Sequence, residues 1–280
     1  MNASIMIGTI NTLRINRDTD NGLYLIAEDE EEVLLPNAYV IDSMELDDSI
    51  DVFVYTDSED RAVATTLTPK AMLGEFAFLR VVDTHQHGVF LDWGLPKDLF
   101  VPKREQKDLR KGETRLFYIT LDEQTNRLIA SQKIGKYLSK ETKDLQANQK
   151  VSLRIFATTP LGYKTLIDDT YEGMLFKNEI FEDIRMGEVK EGYIKTIRED
   201  GKLDVSLQPV GKEAGDVATA KIEAILAQHQ GSLAYNYKSD ADEIKKVFGL
   251  SKKAYKKALT TLINAKKLEV TDTGMKQLTP

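Results

Sequence analysis

Lys252, Lys253, Lys256 and Lys257 share one side of a helix at 3.6 residues per turn, opposite Tyr255, Ala258, Leu259 and Leu262. Lys266 and Lys267 extend the patch. Cations in this pattern can grip phosphates or lay a helix into a major groove, and they can equally form an ordinary solvated face. No Arg, Asn or Gln lies among residues 252–257, which favours backbone contact over the reading of base edges. Other candidate chemistry is thin. His85 and His87 lie two apart on one side of a strand with no third ligand in view, so no metal site is expected. The acidic run Glu28 to Glu32 reads as a solvated loop, because acid–base work needs carboxylates held across a cleft. Nucleotide-binding and hydrolase signatures are absent: no Gly-x-x-x-x-Gly-Lys-Ser/Thr, no Gly-x-Gly-x-x-Gly, no Gly-x-Ser-x-Gly. A non-enzymatic protein without cofactor is expected.

The elements that must carry these residues repeat. Asp108-Leu109-Arg110-Lys111-Gly112 leads to Asn126-Arg127-Leu128-Ile129-Ala130-Ser131, and Asp183-Ile184-Arg185-Met186-Gly187 leads to Gly201-Lys202-Leu203-Asp204-Val205-Ser206. The Gly and the Ser each recur 75 positions later. A weaker copy runs from Glu45-Leu46-Asp47-Asp48-Ser49 to Arg61-Ala62-Val63-Ala64-Thr65. Short runs rich in Val, Ile, Phe, Tyr and Thr, such as Gly22 to Ile26, Asp51 to Tyr55 and Gly88 to Trp93, alternate with turn residues. Five strands per unit suit a small Greek-key barrel, and a unit used three times suggests a modular binder.

Past Gly211-Lys212-Glu213-Ala214-Gly215, which reads as a flexible junction, the period becomes helical. Val217, Ile222, Ile225 and Leu226 define one helix, which Gly231 ends. Asp240 with Glu243 caps a second that stops near Gly249, and Ser251 caps the third. Leu268 to Gly274 reads as strand and turn, so the order is that of a winged helix. The expected architecture is mainly β with a C-terminal α+β domain. It comprises barrels at 1–67, 68–138 and 145–210 and a winged helix at 215–280, with Ile134 to Lys150 as helix or linker.

Charge is distributed unevenly. The net −7 divides into −12 over residues 1–67, zero over 68–216 and +5 over 217–280. Local field governs contact with a polyanion, so the acidic first third is the poorest candidate and the last quarter the best. Cysteine is absent, which excludes disulfides and thiolate metal sites. No apolar run approaches the roughly 20 residues of a membrane span, and Met1 to Met6 lacks the features of a signal peptide. A cytoplasmic location without membrane contact is expected.

The second unit is the most legible. His87-Gly88-Val89-Phe90, Leu99-Phe100-Val101-Pro102, Asp122 and Arg127 together resemble the RNA-binding OB domain repeated in ribosomal protein S-one. The resemblance implies that His87 and Phe90 are stacking residues and that Asp122 and Arg127 are the polar pair, while Pro102 stands where the family has its histidine. A stacked aromatic is worth roughly 1–3 kcal/mol per base without sequence preference, and an arginine adds a phosphate contact or a cation–π stack. In the third unit, Glu172 to Ile180 resembles the family's Gly-Leu-Val-His-Ile-Ser segment, with Phe176 at the histidine. Its turn offers Tyr163 and Lys164, and Lys202 falls where the closing arginine is expected. In the first unit, Tyr24, Pro36 and Arg61 hold the corresponding places beside the acidic loop, and that unit is not expected to grip a polyanion. Trp93 reads as either a stacking residue or a core plug.

Three such units and a winged helix resemble the conserved virulence factor B family. That resemblance implies an RNA-binding regulator acting after transcription on genes that include virulence genes. Single-stranded RNA is the expected partner. A DNA-binding regulator working through the winged helix, or a scaffold on ribosome or polymerase, are the other readings.

Overall fold

Alternation of inward apolar and outward polar side chains builds three five-stranded barrels in sequence. In the computed structural model, residues 4–180, 182–209 and 211–278 are described. The first barrel contains β1 (Ile10–Thr19), β2 (Gly22–Ile26), β3 (Glu32–Pro36), β4 (Ser49–Thr56) and β5 (Ala62–Thr65). The second contains β6 (Phe76–His85), β7 (Gly88–Asp92), β8 (Leu99–Pro102), β9 (Thr114–Leu121) and β10 (Leu128–Ser131). The third contains β11 (Lys150–Thr159), β12 (Gly162–Ile167), β13 (Tyr171–Phe176), β14 (Val189–Ile197) and β15 (Leu203–Ser206). The first and third barrels close through parallel pairing, Leu34 with Val63 and Gly173 to Leu175 with Leu203 to Val205. The second keeps the strand order β10-β9-β6-β7-β8 but leaves β8 and β10 unpaired. It is a near-closed barrel with a seam.

The sequence repeats have a backbone cause. The first strand of each barrel bulges at the same place, between Ile15 and Arg17, Val81 and Asp83, and Ile155 and Ala157. Across from each bulge, the N–H of Asp47, Gly112 or Gly187 donates to the carbonyl of Ile15, Val81 or Ile155 at 2.9, 2.8 and 2.8 Å. Each donor has positive φ, which glycine adopts without strain and aspartate tolerates. The closing hydroxyls Thr65, Ser131 and Ser206 are buried and accept from the N–H two residues on, at 3.0, 3.1 and 3.1 Å.

By its contacts the chain divides into two units, residues 1–137 and 138–280. Within the first unit the two barrels share a core. Strand β4 is buried on both faces: Val52 and Val54 point into their own barrel, while Phe53 and Tyr55 join the second barrel's Leu79, Leu91 and Phe117. Trp93 plugs this junction at 2% exposure, edge-on to Phe53 and Tyr55, and its indole N–H donates to the Lys97 carbonyl at 2.6 Å. The core plug is therefore its role.

Glu105, buried in the second barrel, accepts from the Ser131 hydroxyl at 2.6 Å and from Lys136 Nζ at 3.0 Å. Burial pushes its carboxyl up, but these hydrogen bonds outweigh burial and hold it below the usual glutamate range. A lowered native value means stabilisation that is full above the unfolded-state value of roughly 4.3 and lost as pH falls through the native one. The urea-midpoint difference between wild type and Glu105→Gln is therefore expected to be clear at neutral pH and to shrink on acidification below that value.

One local reading narrows and another changes. Ile134 to Lys150 contains one 3-10 turn, Ile134–Lys136, and no other regular element before β11. Tyr137, just past that turn, stacks on Tyr118 at 4.0 Å. Gly211 to Gly215 is not a flexible junction, because α1 spans Lys212–Gln228 and includes Gly215. One interior glycine costs about 1 kcal/mol, which the burial of Ala218, Ile222 and Leu226 outweighs. Val217 is only half-buried, and Ala218 takes the inward place. The rest of the domain is β16 (Ser232–Leu233), α2 (Ala241–Phe248), α3 (Lys252–Asn264) and the hairpin β17 (Leu268–Val270) and β18 (Met275–Gln277). Asp240 caps α2 through the N–H groups of Asp242 and Glu243, Gly249 ends it with φ 58°, and Ser251 caps α3 through Ala254 N–H. The winged helix follows the sequence caps closely.

Candidate nucleic-acid interface

Strand register fixes which side chains occupy the same outer position in each barrel. Gly22, Gly88 and Gly162 face Pro36, Pro102 and Phe176 across their hairpins. Two residues on, the outward cross-strand pairs are Tyr24 with Leu34, Phe90 with Phe100, and Lys164 with Met174. Only the second barrel presents two aromatics there. Val89, Leu91, Leu99 and Val101 point inward, which leaves Phe90 and Phe100 half-exposed with ring centroids 5.2 Å apart. Phe100 lines the pocket although the motif alone does not single it out; the alternation in Leu99-Phe100-Val101 carries the signal.

These rings line an open pocket of about 620 Å³ that also receives His87, Arg127, Lys97 and Asp60. Leu99 and Phe100 from β8 and Leu128 and Ile129 from β10 border it, so it lies over the unpaired seam. His87 is exposed, 5.2 Å ring to ring from His85, with the Gln86 amide nitrogen 3.0 Å from its Nε2. Among the described residues, no three His, Cys, Asp or Glu side chains are grouped to hold a metal ion.

Asp122 plays a different part from Arg127. At 6% exposure, its carboxylate accepts from the N–H groups of Gln124 and Thr125 at 2.9 and 3.1 Å and from Arg104. Burial pushes this carboxyl up, but those hydrogen bonds and the Arg104 guanidinium leave it lowered. The Asp122 N–H donates to the Arg127 carbonyl at 2.8 Å, so Asp122 shapes the turn that carries Arg127. The Arg127 guanidinium itself meets Asp60 of the first barrel.

The other two barrels are differently equipped. In the first, the Arg17 guanidinium sits 3.6 Å above the Tyr24 ring and is held there by both carboxylate oxygens of Glu32, at 2.8 and 3.2 Å. One face of that aromatic is thus already covered by the chain's own cation. In the third, Tyr163 occupies the inward register position and packs against the barrel core, while Lys164 points outward and pairs with Glu172 at 2.7 Å. Phe176 is half-buried with Arg198 5.8 Å from its centroid, and Lys202 is exposed and paired with Asp200 at 2.6 Å.

In the winged helix, Tyr255, Ala258, Leu259 and Leu262 are buried, and Lys253, Lys256 and Lys257 are exposed. Lys252, at the first position of α3, is half-buried. None of the four is ion-paired among the described residues, whereas Lys267 pairs with Glu223 at 2.9 Å. The exposed face continues through Thr260 and Asn264.

Comparison with known proteins agrees with this architecture. Residues 7–67 match the S1 domain family, and residues 220–276 match the CvfB-like winged helix domain. A Bacillus subtilis protein, YitL, is 29% identical over 90% of this chain and 87% of its own length. Conserved virulence factor B of Staphylococcus epidermidis is 26% identical over 98% of this chain and 95% of its own. A solved multidomain protein with nucleic acid binding domains from Streptococcus pneumoniae superposes with a TM-score of 0.43 at 24% identity, covering 97% and 98% of the two chains. S1 and winged-helix modules are nucleic-acid-binding types, and no helix among the described residues is long and apolar enough to cross a membrane. With an S1 domain match at one end, a CvfB-like winged helix match at the other and relatives aligned along most of its length, the chain is similar from end to end to the conserved virulence factor B proteins.

Proposed function

We propose that this protein binds single-stranded RNA and regulates gene expression after transcription, with virulence genes among its targets as the relatives' name suggests. The observation that carries the RNA reading is the Phe90–Phe100 pair with Arg127 in one open pocket. Two aromatic faces and a guanidinium suit unpaired bases on a phosphate backbone, whereas a duplex hides its base faces by stacking. In this reading His87 flanks the stack and Asp122 positions Arg127, while Lys164, Phe176 and Lys202, with Tyr163 as their support, give the third barrel a contact surface of its own. The protein acts in the cytoplasm.

Helix α3 supplies the electrostatic grip. Lys252 and Lys253 fill its first turn, and no acidic residue balances them there. Cations at the positive end of a helix dipole are unfavourable, so their placement is better explained by an anion than by stability. Replacing Lys253 by Glu is expected to stabilise the domain slightly while weakening RNA binding. A solely structural lysine would show the first effect without the second.

Fluorescence anisotropy with single-stranded RNA, single-stranded DNA and duplex DNA at several salt concentrations tests the proposal. Because Phe53 and Tyr55 seal against Trp93, substitutions serve better than deletion of the first barrel. Single-stranded RNA is expected to bind best. Replacing Lys252, Lys253, Lys256 and Lys257 by Gln should flatten the log–log salt slope by up to about 3, at ~0.7 for each phosphate no longer neutralised. Tighter duplex binding that depends on those lysines would instead establish a DNA-binding regulator.

A further inference from the structure

The pocket over the β8–β10 seam is built by two barrels. The Phe90–Phe100 pair and Arg127 come from the second, and the opposite wall is the β4–β5 turn of the first, with Tyr55 and Asp60. That turn engages both nearby cations. The Asp60 carboxylate meets the Arg127 guanidinium, and the Asp57 carbonyl accepts from Lys97 Nζ at 2.6 Å. The turn is held by its own bonds: the Asp57 carboxylate accepts from the N–H groups of Glu59 and Arg61 at 2.8 and 3.0 Å and from the Arg61 guanidinium at 2.7 Å. Asp60 is thereby presented to Arg127 by a preformed element rather than by a loose loop.

We propose that this pocket is a composite nucleotide site in which Asp60 is a resident competitor for phosphate. An RNA phosphate reaching Arg127 takes the place of the Asp60 carboxylate while its base stacks on Phe90 and Phe100. The inference rests on the reading of the second barrel's outer face as an RNA surface. Asp60 meets the guanidinium through one carboxylate oxygen, whereas a phosphate can accept from two of its N–H groups, so exchange replaces a single contact by a two-point one. The resident pair is weak enough to exchange, since Arg127 and Asp60 side chains are 52% and 40% exposed. The pocket's 620 Å³ lies within the roughly 300–1,000 Å³ of ligand sites and leaves room for a nucleotide beside the displaced carboxylate. The acidic first barrel thereby sets how readily the site takes a polyanion, although one face of its own outer aromatic is covered.

The test uses the full chain and a labelled single-stranded RNA oligonucleotide in anisotropy titrations. Asp60→Asn is expected to bind about threefold more tightly than wild type, the scale of a half-exposed ion pair. That gain should vanish when Arg127→Ala is added. Glu28→Gln, an equal charge change on an exposed residue of the acidic loop, should give a clearly smaller gain. Asp60→Asn binding no better than wild type, while Phe90→Ala weakens binding, would overturn the competitor and leave the RNA face standing. A Glu28→Gln gain as large as that of Asp60→Asn would also overturn it, because net charge would then be the cause. Phe90→Ala indistinguishable from wild type would remove the RNA face and the competitor together. Asp60 and Glu28 are both exposed, so these variants are expected to fold.

Discussion

Replacing Trp93 by Ala is expected to destabilise the unit of residues 1–137 by about 3–5 kcal/mol, the range for emptying a large aromatic from a packed core. The effect falls on two barrels at once, because Trp93 contacts Phe53 and Tyr55 of the first while sharing a core with Leu91 and Phe117 of the second. Trp93→Phe should cost less, since it keeps most of the ring volume but loses the indole bond to the Lys97 carbonyl. Urea denaturation followed by circular dichroism measures both. Trp93 is the only tryptophan, so its fluorescence in the wild-type protein reports on this junction alone. A shared core predicts that fluorescence and circular dichroism of a 1–137 fragment change in one coincident transition. Trp93→Ala with an unchanged midpoint would mean that the junction adds no stability.

The largest expected effect on binding comes from the outer aromatic pair. Phe90→Ala should weaken single-stranded RNA binding by about 1–3 kcal/mol, roughly 5- to 150-fold, and Phe100→Ala by a similar amount. Because the two rings contact each other at 5.2 Å, the double variant should lose less than the sum of the singles. Both side chains lie outside the barrel, so the urea midpoint should move far less than in Trp93→Ala. Anisotropy titration at fixed salt checks the first outcome and denaturation the second. Equal affinity in Phe90→Ala, Phe100→Ala and wild type would count against stacking on this face.

Much of the fold was legible because its signals are local. Strand alternation, the glycines opposite the bulges, the closing hydroxyls and the helix caps each depend on a few neighbouring residues. The start of the helix at Lys212 was not legible, because tertiary burial of Ala218, Ile222 and Leu226 overrides the glycines near it. The candidate site was legible in part. His87, Phe90 and Arg127 line one pocket, but Phe100 needed the register of β7 against β8, and Asp60 needed the packing of one barrel on the next. Tyr163 and Lys164 part for the same reason: one step of register turns Tyr163 toward the core and Lys164 outward.

The sequence by itself determined the modules: their number and order, their strand and cap residues, and the basic face of the last helix. These follow from periodicities of two and 3.6 residues, which act over a single element. Only the tertiary structure decided that Trp93 is a plug, that β4 is buried on both faces, and that Asp60 holds Arg127. Alternation tells which side chains leave a barrel's own core, but an outward side chain reads alike whether water, a ligand or another barrel will cover it.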